Sequence, residues 1–210
     1  YYQEGLADQL AASGQEGAAL YRYRKAIALY PLDPKLRVSM GTHLLNKNRY
    51  VDALSSFDGA TTLGGVYGEP SYSAREISKA REDVSGPLTS IGLAYFGKAR
   101  CYLGLGKYDM SLQSINKAQR LLGKTPQIIY LRAQALEKKG SYTKASGLYK
   151  GIVAELATPN PEVMFRLAKS LEGSGQREAA LGELKKILKT TPNYRPALKM
   201  RDGMLASIVD

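Results

Sequence analysis

The sequence predicts an all-α solenoid built from antiparallel helix pairs, and three observations support that prediction. A glycine or asparagine turn recurs along the chain, small and bulky residues recur at fixed offsets from it, and these offsets follow the helical period. The chain has 210 residues, of which 44% are apolar, and this is enough for a folded core. We therefore expect residues 1–210 to form one solenoid.

The turn residues are the anchors of the repeat. Their spacings are 34, 58, 34 and 35 residues. Glycine and asparagine tolerate the left-handed backbone conformation that ends many helices, so each anchor is predicted to separate two helices. The anchors are Gly14, Asn48, Gly106, Gly140 and Gly175.

Residues of similar size stand at the same distance from every anchor. A small residue lies seven positions before it and a bulky one four before, while positions five, nine and twelve after it form a second set. Members of each set are three or four residues apart and share a helix face, and small residues let two helix axes approach closely. Around Gly140 these positions hold Ala133, Leu136, Ala145, Tyr149 and Ile152.

The anchors divide the chain into five units, an insertion and a final helix. Pro31 and Pro192 both follow their anchors by seventeen residues and are predicted to end the second helix of a unit. In the insertion, Ser73 and Glu76 have the spacing of a capping box, which predicts a short charged helix to about Val84. The predicted bounds are about 1–32, 33–63, 90–123, 124–158 and 160–193 for the units, 64–87 for the insertion and 194–208 for a capping helix.

This pattern resembles the tetratricopeptide repeat, and the resemblance covers nearly the entire chain. The match is best around Gly14 and Gly175, whereas Gly65 and Gly123 stand where the family usually has proline. The resemblance implies a right-handed superhelical solenoid whose first helices line a concave groove. Such a groove usually holds a peptide or a helix of a partner protein.

The geometry of this family places the residues ten and six positions before each anchor in the groove. The first unit then offers carboxylates, and the last three offer aromatic residues with polar or basic neighbours, which favours a partner with apolar anchors and acidic flanks. The alternative is that these aromatic residues pack against the adjacent helix. The predicted groove residues are Glu4, Asp8, Val38, Thr42, Phe96, Arg100, Tyr130, Gln134, Phe165 and Lys169.

The residue types argue against one class of partner. Family members that clamp the C-terminal carboxylate of heat-shock chaperones carry Lys and Asn where this sequence has Glu4 and Asp8. They carry a Lys/Arg pair where it has Leu93 and Gly97. The resemblance therefore does not imply a co-chaperone of that type.

The net charge of +11 permits a different function. Residues 1–90 hold 10 Lys+Arg and 10 Asp+Glu, whereas residues 91–210 hold 20 and 9. A basic C-terminal surface that binds nucleic acid or membrane lipid is the alternative to groove binding. Lysines on exposed repeat helices are usually just solvated, so nucleic acid is the less favoured partner. The basic residues are Lys185, Lys186, Lys189, Arg195, Lys199 and Arg201.

The sequence offers little for catalysis. A single histidine, His43, excludes a His-rich metal site, and its position beside Gly41 and Leu44 favours helix surface or packing. The single Cys101 lies within a predicted first helix and is expected to be a small buried side chain. We expect no catalytic residue, cofactor or metal. The predicted function is a non-enzymatic scaffold that binds another protein and assists a multi-protein assembly, with a bacterial pilus or secretion system as one setting.

The cellular compartment is left open between cytoplasm and periplasm. The first residue is Tyr rather than Met, so we expect the natural N-terminus to have been removed, together with any leader or lipid anchor. No run approaches the roughly 20 apolar residues that cross a bilayer. We expect membrane contact, if there is any, through the missing segment.

Overall fold

The computed structural model describes residues 2–67, 78, 82–83 and 86–206, and these contain eleven α-helices and no strand. The predicted all-α class of helix pairs is confirmed. The helices are α1 (Tyr2–Ala12), α2 (Glu16–Leu29), α3 (Pro34–Asn46), α4 (Tyr50–Thr62), α5 (Pro87–Gly104), α6 (Tyr108–Leu122), α7 (Pro126–Lys138), α8 (Tyr142–Glu155), α9 (Pro161–Gly173), α10 (Arg177–Thr190) and α11 (Arg195–Ala206).

The chain divides into two compact units, Tyr1–Ile128 and Ile129–Asp210. In the first unit α1 packs on α2, α3 on α4 and α5 on α6, and α5 also contacts α3 and α4. In the second unit α9 packs on α8 and on α10, and α10 contacts α11. Helices that are joined by a short turn and pack on each other run antiparallel.

The turn at each anchor has the same backbone geometry. The amide after the anchor donates to the carbonyl four residues before it, as from Ser141 to Leu136 at 2.8 Å and from Arg49 to Leu44 at 3.0 Å. This bond satisfies a carbonyl that the helix end would leave without a partner. The left-handed conformation predicted for the anchors is confirmed, since the φ angles are 80° at Gly14, 58° at Asn48, 72° at Gly106, 83° at Gly140 and 81° at Gly175.

The predicted small residues lie where paired helices approach each other. Ser111 on α6 is fully buried, and its hydroxyl donates to the carbonyl of Ala99 on α5 at 2.8 Å. Phe57 on α4 is 1% exposed, and its ring lies against Gly41 of α3 and Gly97 of α5. A Cβ at Gly41 would come within 2.7 Å of the ring, and one at Gly97 would come closer still. The ring therefore needs both glycines.

Proline and glycine mark the helix ends. Helix α2 ends two residues before Pro31 and α10 two residues before Pro192, as predicted. Helix α9 begins with Pro161 after Asn160, whose side chain accepts hydrogen bonds from the first-turn amides. Gly123 ends α6 with a φ of 83°, so a glycine in a conformation that other residues rarely adopt stops this helix where the family usually has proline.

The connection between α4 and α5 is described mainly at its two ends. A 3₁₀ turn, Leu63–Gly65, follows α4, and α5 begins at Pro87, where the insertion was predicted to end. The predicted capping-box residues Ser73 and Glu76 and the predicted helix end at Val84 lie outside the described residues. Helix α11 lies within the predicted capping segment 194–208, of which residues 207 and 208 are also outside the described part.

Candidate functional site

The unit Tyr1–Ile128 has an apolar pocket of about 340 Å³ on α5. Thr89, Leu93 and Phe96 lie four and three residues apart on one face of α5 and form one wall. Leu122 and Ile128 lie opposite them. Leu93 is 43% exposed, so this wall is open to solvent. The pocket can accept an apolar side chain of a partner.

The acidic residues predicted for the groove form hydrogen bonds with other residues of the compact unit Tyr1–Ile128. Glu4 is 6% exposed, and its carboxylate accepts from the Ser39 hydroxyl at 2.9 Å and from Lys35 Nζ at 3.3 Å. The Asp8 carboxylate accepts a hydrogen bond from the Tyr23 hydroxyl. Burial and this bond to Asp8 raise the pKa of Tyr23, so the hydroxyl keeps its proton. Glu4 has little surface left for a partner, whereas Asp8 remains exposed.

The other predicted groove residues of this unit differ in exposure. Val38 is half-buried and packs against a core cluster that contains Leu44 and Phe57. Thr42 and Arg100 are exposed. Among the described residues of this unit, the apolar pocket includes one predicted groove residue, Phe96.

In the unit Ile129–Asp210, Tyr130 packs on a buried ring and also contacts solvent-accessible charge. Its ring meets that of Tyr149 edge-on at 6.0 Å, and its hydroxyl donates to Glu162 at 3.3 Å. The Arg166 guanidinium lies 6.0 Å from the Tyr130 ring. Burial raises the pKa of Tyr130, and Arg166 opposes that rise. Tyr130 therefore packs against a neighbouring ring, which is the alternative that the sequence left open, and its role in a groove stays a prediction. Gln134, one turn further along α7, is half-buried.

A second pocket, of about 690 Å³, lies between α9 and α11. Its apolar lining includes Phe165, Met200 and Met204, and its charged lining consists of Lys169, Glu172, Arg195 and Lys199. The Phe165 ring is held edge-on against Tyr194 at 6.0 Å. We call this cavity the C-terminal pocket. It includes two predicted groove residues and two residues of the predicted basic surface.

The remaining members of the basic surface lie outside that pocket lining. Lys185, Lys186 and Lys189 are exposed on α10, and Lys186 forms an ion pair with Glu183 at 2.6 Å. Arg201 pairs with its neighbour Asp202 at 2.7 Å. The predicted basic cluster is thus distributed over two helices, and two of its members are neutralised locally.

The structure also places the residues that the sequence considered for catalysis. Within them no cluster of three His, Cys, Asp or Glu residues could hold a metal ion. The predicted burial of Cys101 is confirmed, and burial raises the pKa of its thiol to about 12. His43 is half-buried, with its ring 6.1 Å from that of Tyr23. No described helix is both long enough and apolar enough to traverse a lipid bilayer.

Comparisons with known proteins identify the fold. The family described as Tetratricopeptide repeat matches residues 93–121, which contain the α5–α6 turn at Gly106. Three solved structures are similar over most of their length. YrrB, described as a TPR protein with an unusual peptide-binding site, is 16% identical and covers 95% of this chain and 90% of its own, with a TM-score of 0.71. MamA from Desulfovibrio magneticus RS-1 is 14% identical, with 92% and 95% covered and a TM-score of 0.70. Pseudomonas aeruginosa pilF is 15% identical, with 96% and 80% covered and a TM-score of 0.69.

The fold is that of a tetratricopeptide repeat protein. No curated protein sequence matches the chain. Tetratricopeptide repeat folds are in general non-enzymatic scaffolds for protein–protein interaction. In both pockets, one wall is formed by the first helix of a repeat, α5 or α9.

Sequence reasoning missed a buried ionic network in the compact unit Ile129–Asp210. Glu137 on α7 is 3% exposed and accepts a hydrogen bond from the Tyr149 hydroxyl at 2.9 Å. Its oxygens also lie 3.3 Å from Arg166 Nη1 and 3.2 Å from Lys169 Nζ, both on α9. Burial and the Glu137 charge raise the pKa of Tyr149. The signal was a tyrosine nine residues after the anchor combined with a carboxylate on the paired helix, which also occurs as Tyr23 with Asp8.

Proposed function

We propose that this tetratricopeptide repeat protein is a non-enzymatic scaffold that holds a peptide or a helix of a partner protein against its first helices, and so assists a multi-protein assembly. The observation that carries the proposal is the pair of open pockets on α5 and α9, whose linings include the predicted groove residues Phe96 and Phe165. The peptide-binding site described for YrrB, which has a similar fold, supports it. A bacterial pilus or secretion system is the setting we propose for that assembly.

Two substitutions test the proposal, one in each pocket. Leu93→Lys and Met200→Lys place a charge in the two linings, where it would weaken the binding of an apolar side chain. The matched control is Met110→Lys on α6, because Met110 is 42% exposed and Leu93 43%, and Met110 does not line either pocket. Circular dichroism and thermal melting establish that all three variants are folded.

The measurement is retention of proteins from a lysate of the source organism at low and at high salt. We expect a discrete protein to be retained by the wild type and by Met110→Lys at both salt concentrations, and to be lost with at least one pocket variant. Equal retention by all four proteins would contradict the proposal.

A second candidate function is the binding of an anionic polymer or membrane surface by the basic residues. Lys185 and Lys189 favour it, because both are exposed and neither has an ion pair or hydrogen bond within the described residues. Binding of this kind would be screened by salt and would be insensitive to Leu93→Lys and Met200→Lys. Retention that disappears at high salt, together with nucleic acid or lipid, would favour it.

A further inference from the structure

We propose that the C-terminal pocket binds a peptide segment in which an apolar side chain lies next to carboxylates, and that Arg195 and Lys199 bind those carboxylates. The inference rests on the proposed function and specifies the chemistry of the partner. It also assigns a binding role to α11, which the sequence predicts to be a cap.

The apolar part of the pocket is preformed. Met204 is 4% exposed and belongs to the core cluster of this unit, against which Phe165 and Met200 pack. The edge-on contact with Tyr194 at 6.0 Å restricts the orientation of the Phe165 ring. Methionine side chains adapt their shape to a ligand, so this floor suits an aliphatic or aromatic residue.

The cations that line the C-terminal pocket differ in whether they already form an ion pair within the protein. Lys169, with half of its side chain exposed, lies 3.2 Å from the buried Glu137 and is partly neutralised by it. Arg195 and Lys199 are exposed, and neither has an ion pair or hydrogen bond within the described residues. They are four residues apart and therefore lie on the same face of α11. Glu172 is the acidic residue of the lining, so the charge of the pocket remains positive.

The apolar surface beside the cations favours a peptide over an anionic polymer as the ligand of this pocket. A phosphate backbone needs cations and gains nothing from an apolar floor, whereas a peptide can satisfy both. Lys185 and Lys189 provide a matched control for Arg195 and Lys199. They are also four residues apart and exposed, but they lie on α10 outside the lining of the pocket. If charge alone mattered, the two pairs of cations would be equivalent.

The test is selection from a displayed library of random dodecapeptides on the immobilised full chain, followed by affinity measurement for the enriched peptides. Four variants are compared with the wild type: Arg195→Glu with Lys199→Glu, Met200→Lys, Leu93→Lys on α5, and the control Lys185→Glu with Lys189→Glu. The two double reversals change the net charge equally and at equal spacing. A glutamate at Arg195, the first residue of α11, also suits the positive end of the helix dipole, so the variant is expected to fold.

We expect the enriched peptides to combine Asp or Glu with an adjacent apolar residue. Their affinity should fall about tenfold or more with Arg195→Glu plus Lys199→Glu and with Met200→Lys, and should change less than about threefold with the control. Substituting either the carboxylates or the apolar residue of the peptide should cost a similar factor.

Three results would overturn the inference. Enriched peptides whose binding is lost with Leu93→Lys and unaffected by the pocket variants would place recognition on α5, so the inference would fail while the proposed function stands. Acidic peptides without an apolar residue, equally weakened by both double reversals, would indicate a general anion-binding surface. Failure to enrich any peptide would contradict the inference and the proposed function together.

Discussion

At the scale of single residues, the backbone conformation of the anchors limits what the chain accepts. Gly140 has a φ of 83°, and a Cβ at this position would meet no atom within 4 Å. A side chain at residue 140 would therefore destabilise the fold through the strained backbone conformation alone and not through a steric clash. Gly147, in the middle of α8, has equally open surroundings but lies in a helix.

Alanine substitutions at these two glycines should have opposite effects. We expect Gly140→Ala to lower the free energy of unfolding by about 1–2 kcal/mol, the usual cost of a left-handed conformation for a residue with a Cβ. Gly147→Ala should raise it by about 0.5–1 kcal/mol, because alanine favours the helix. Urea denaturation of the two variants measures both values. Destabilisation by both substitutions would mean that α8 does not tolerate a Cβ at residue 147.

A second prediction at this scale concerns pH and the thiol of Cys101. Burial raises the pKa of this thiol to about 12 from an ordinary value of 9.0. The folded protein therefore holds the proton more tightly than the unfolded chain. This contribution to stability is complete below about pH 8.5 and decreases as the pH rises towards 12.

The measurement is the urea midpoint at pH 8 and pH 10 for the wild type and for Cys101→Ala. Burial also raises the pKa of Tyr23 and of Tyr149, but their titration affects both proteins alike, so the comparison isolates the thiol. We expect a smaller loss of stability in Cys101→Ala than in the wild type. Equal losses would indicate that the thiol ionises normally in the folded protein.

The position of a residue relative to its anchor predicted the helix face on which its side chain lies better than it predicted whether that side chain is exposed to a partner. Glu4 lies on the α1 face predicted to line the groove, yet Lys35 and Ser39 of the next helix pair bond to its carboxylate and leave it 6% exposed. A position in a repeat fixes the direction of a side chain, whereas its neighbours in other helices decide whether it is covered. The network around Glu137 went unnoticed for the same reason, because its cations come from α9.

At the scale of helices, the ring of Phe57 joins three elements. It extends from α4 and lies against glycines of α3 and α5. Close packing of this kind leaves no room for an added methyl group unless the ring becomes smaller. The spacing of these helices is thus set by one side chain.

We expect Gly97→Ala to lower the free energy of unfolding by about 1–3 kcal/mol through overpacking against this ring. In a Phe57→Leu background the same substitution should cost clearly less, because the smaller side chain leaves space for the methyl group. A double-mutant cycle by urea denaturation measures the difference as a coupling energy. Strictly additive effects would show that the Phe57 ring is not the obstacle.

At the scale of the whole chain, the repeat could be predicted from sequence because the residue at each recurring position has a role in packing or in a turn. The alanines at the small positions are buried, the anchors are left-handed, and α2 and α10 end before their prolines. Local propensity, turn chemistry and packing therefore agree with one another in most units. The region between α4 and α5 follows no repeat, and only its end was predicted, at Pro87, where α5 begins.

The candidate sites were less predictable, because each involves more than one element. The sequence indicated an aromatic and basic groove on α9 and, separately, a basic surface on α10 and α11. The structure brings Phe165 and Lys169 together with Arg195 and Lys199 in one pocket lining. Part of the positive charge in the second half of the sequence is thus combined with apolar surface in that lining.

Because α11 supplies part of the C-terminal pocket, that pocket depends on a helix outside the repeats. In a solenoid each repeat contacts only its neighbours, so the chain can be lengthened by inserting a further repeat between two others. A unit added directly after α10 would separate α11 from Phe165 and divide the pocket, whereas a unit added before α9 would leave it intact. The position of an added repeat would therefore decide whether the pocket persists: it would survive an addition before α9 and be lost with one after α10.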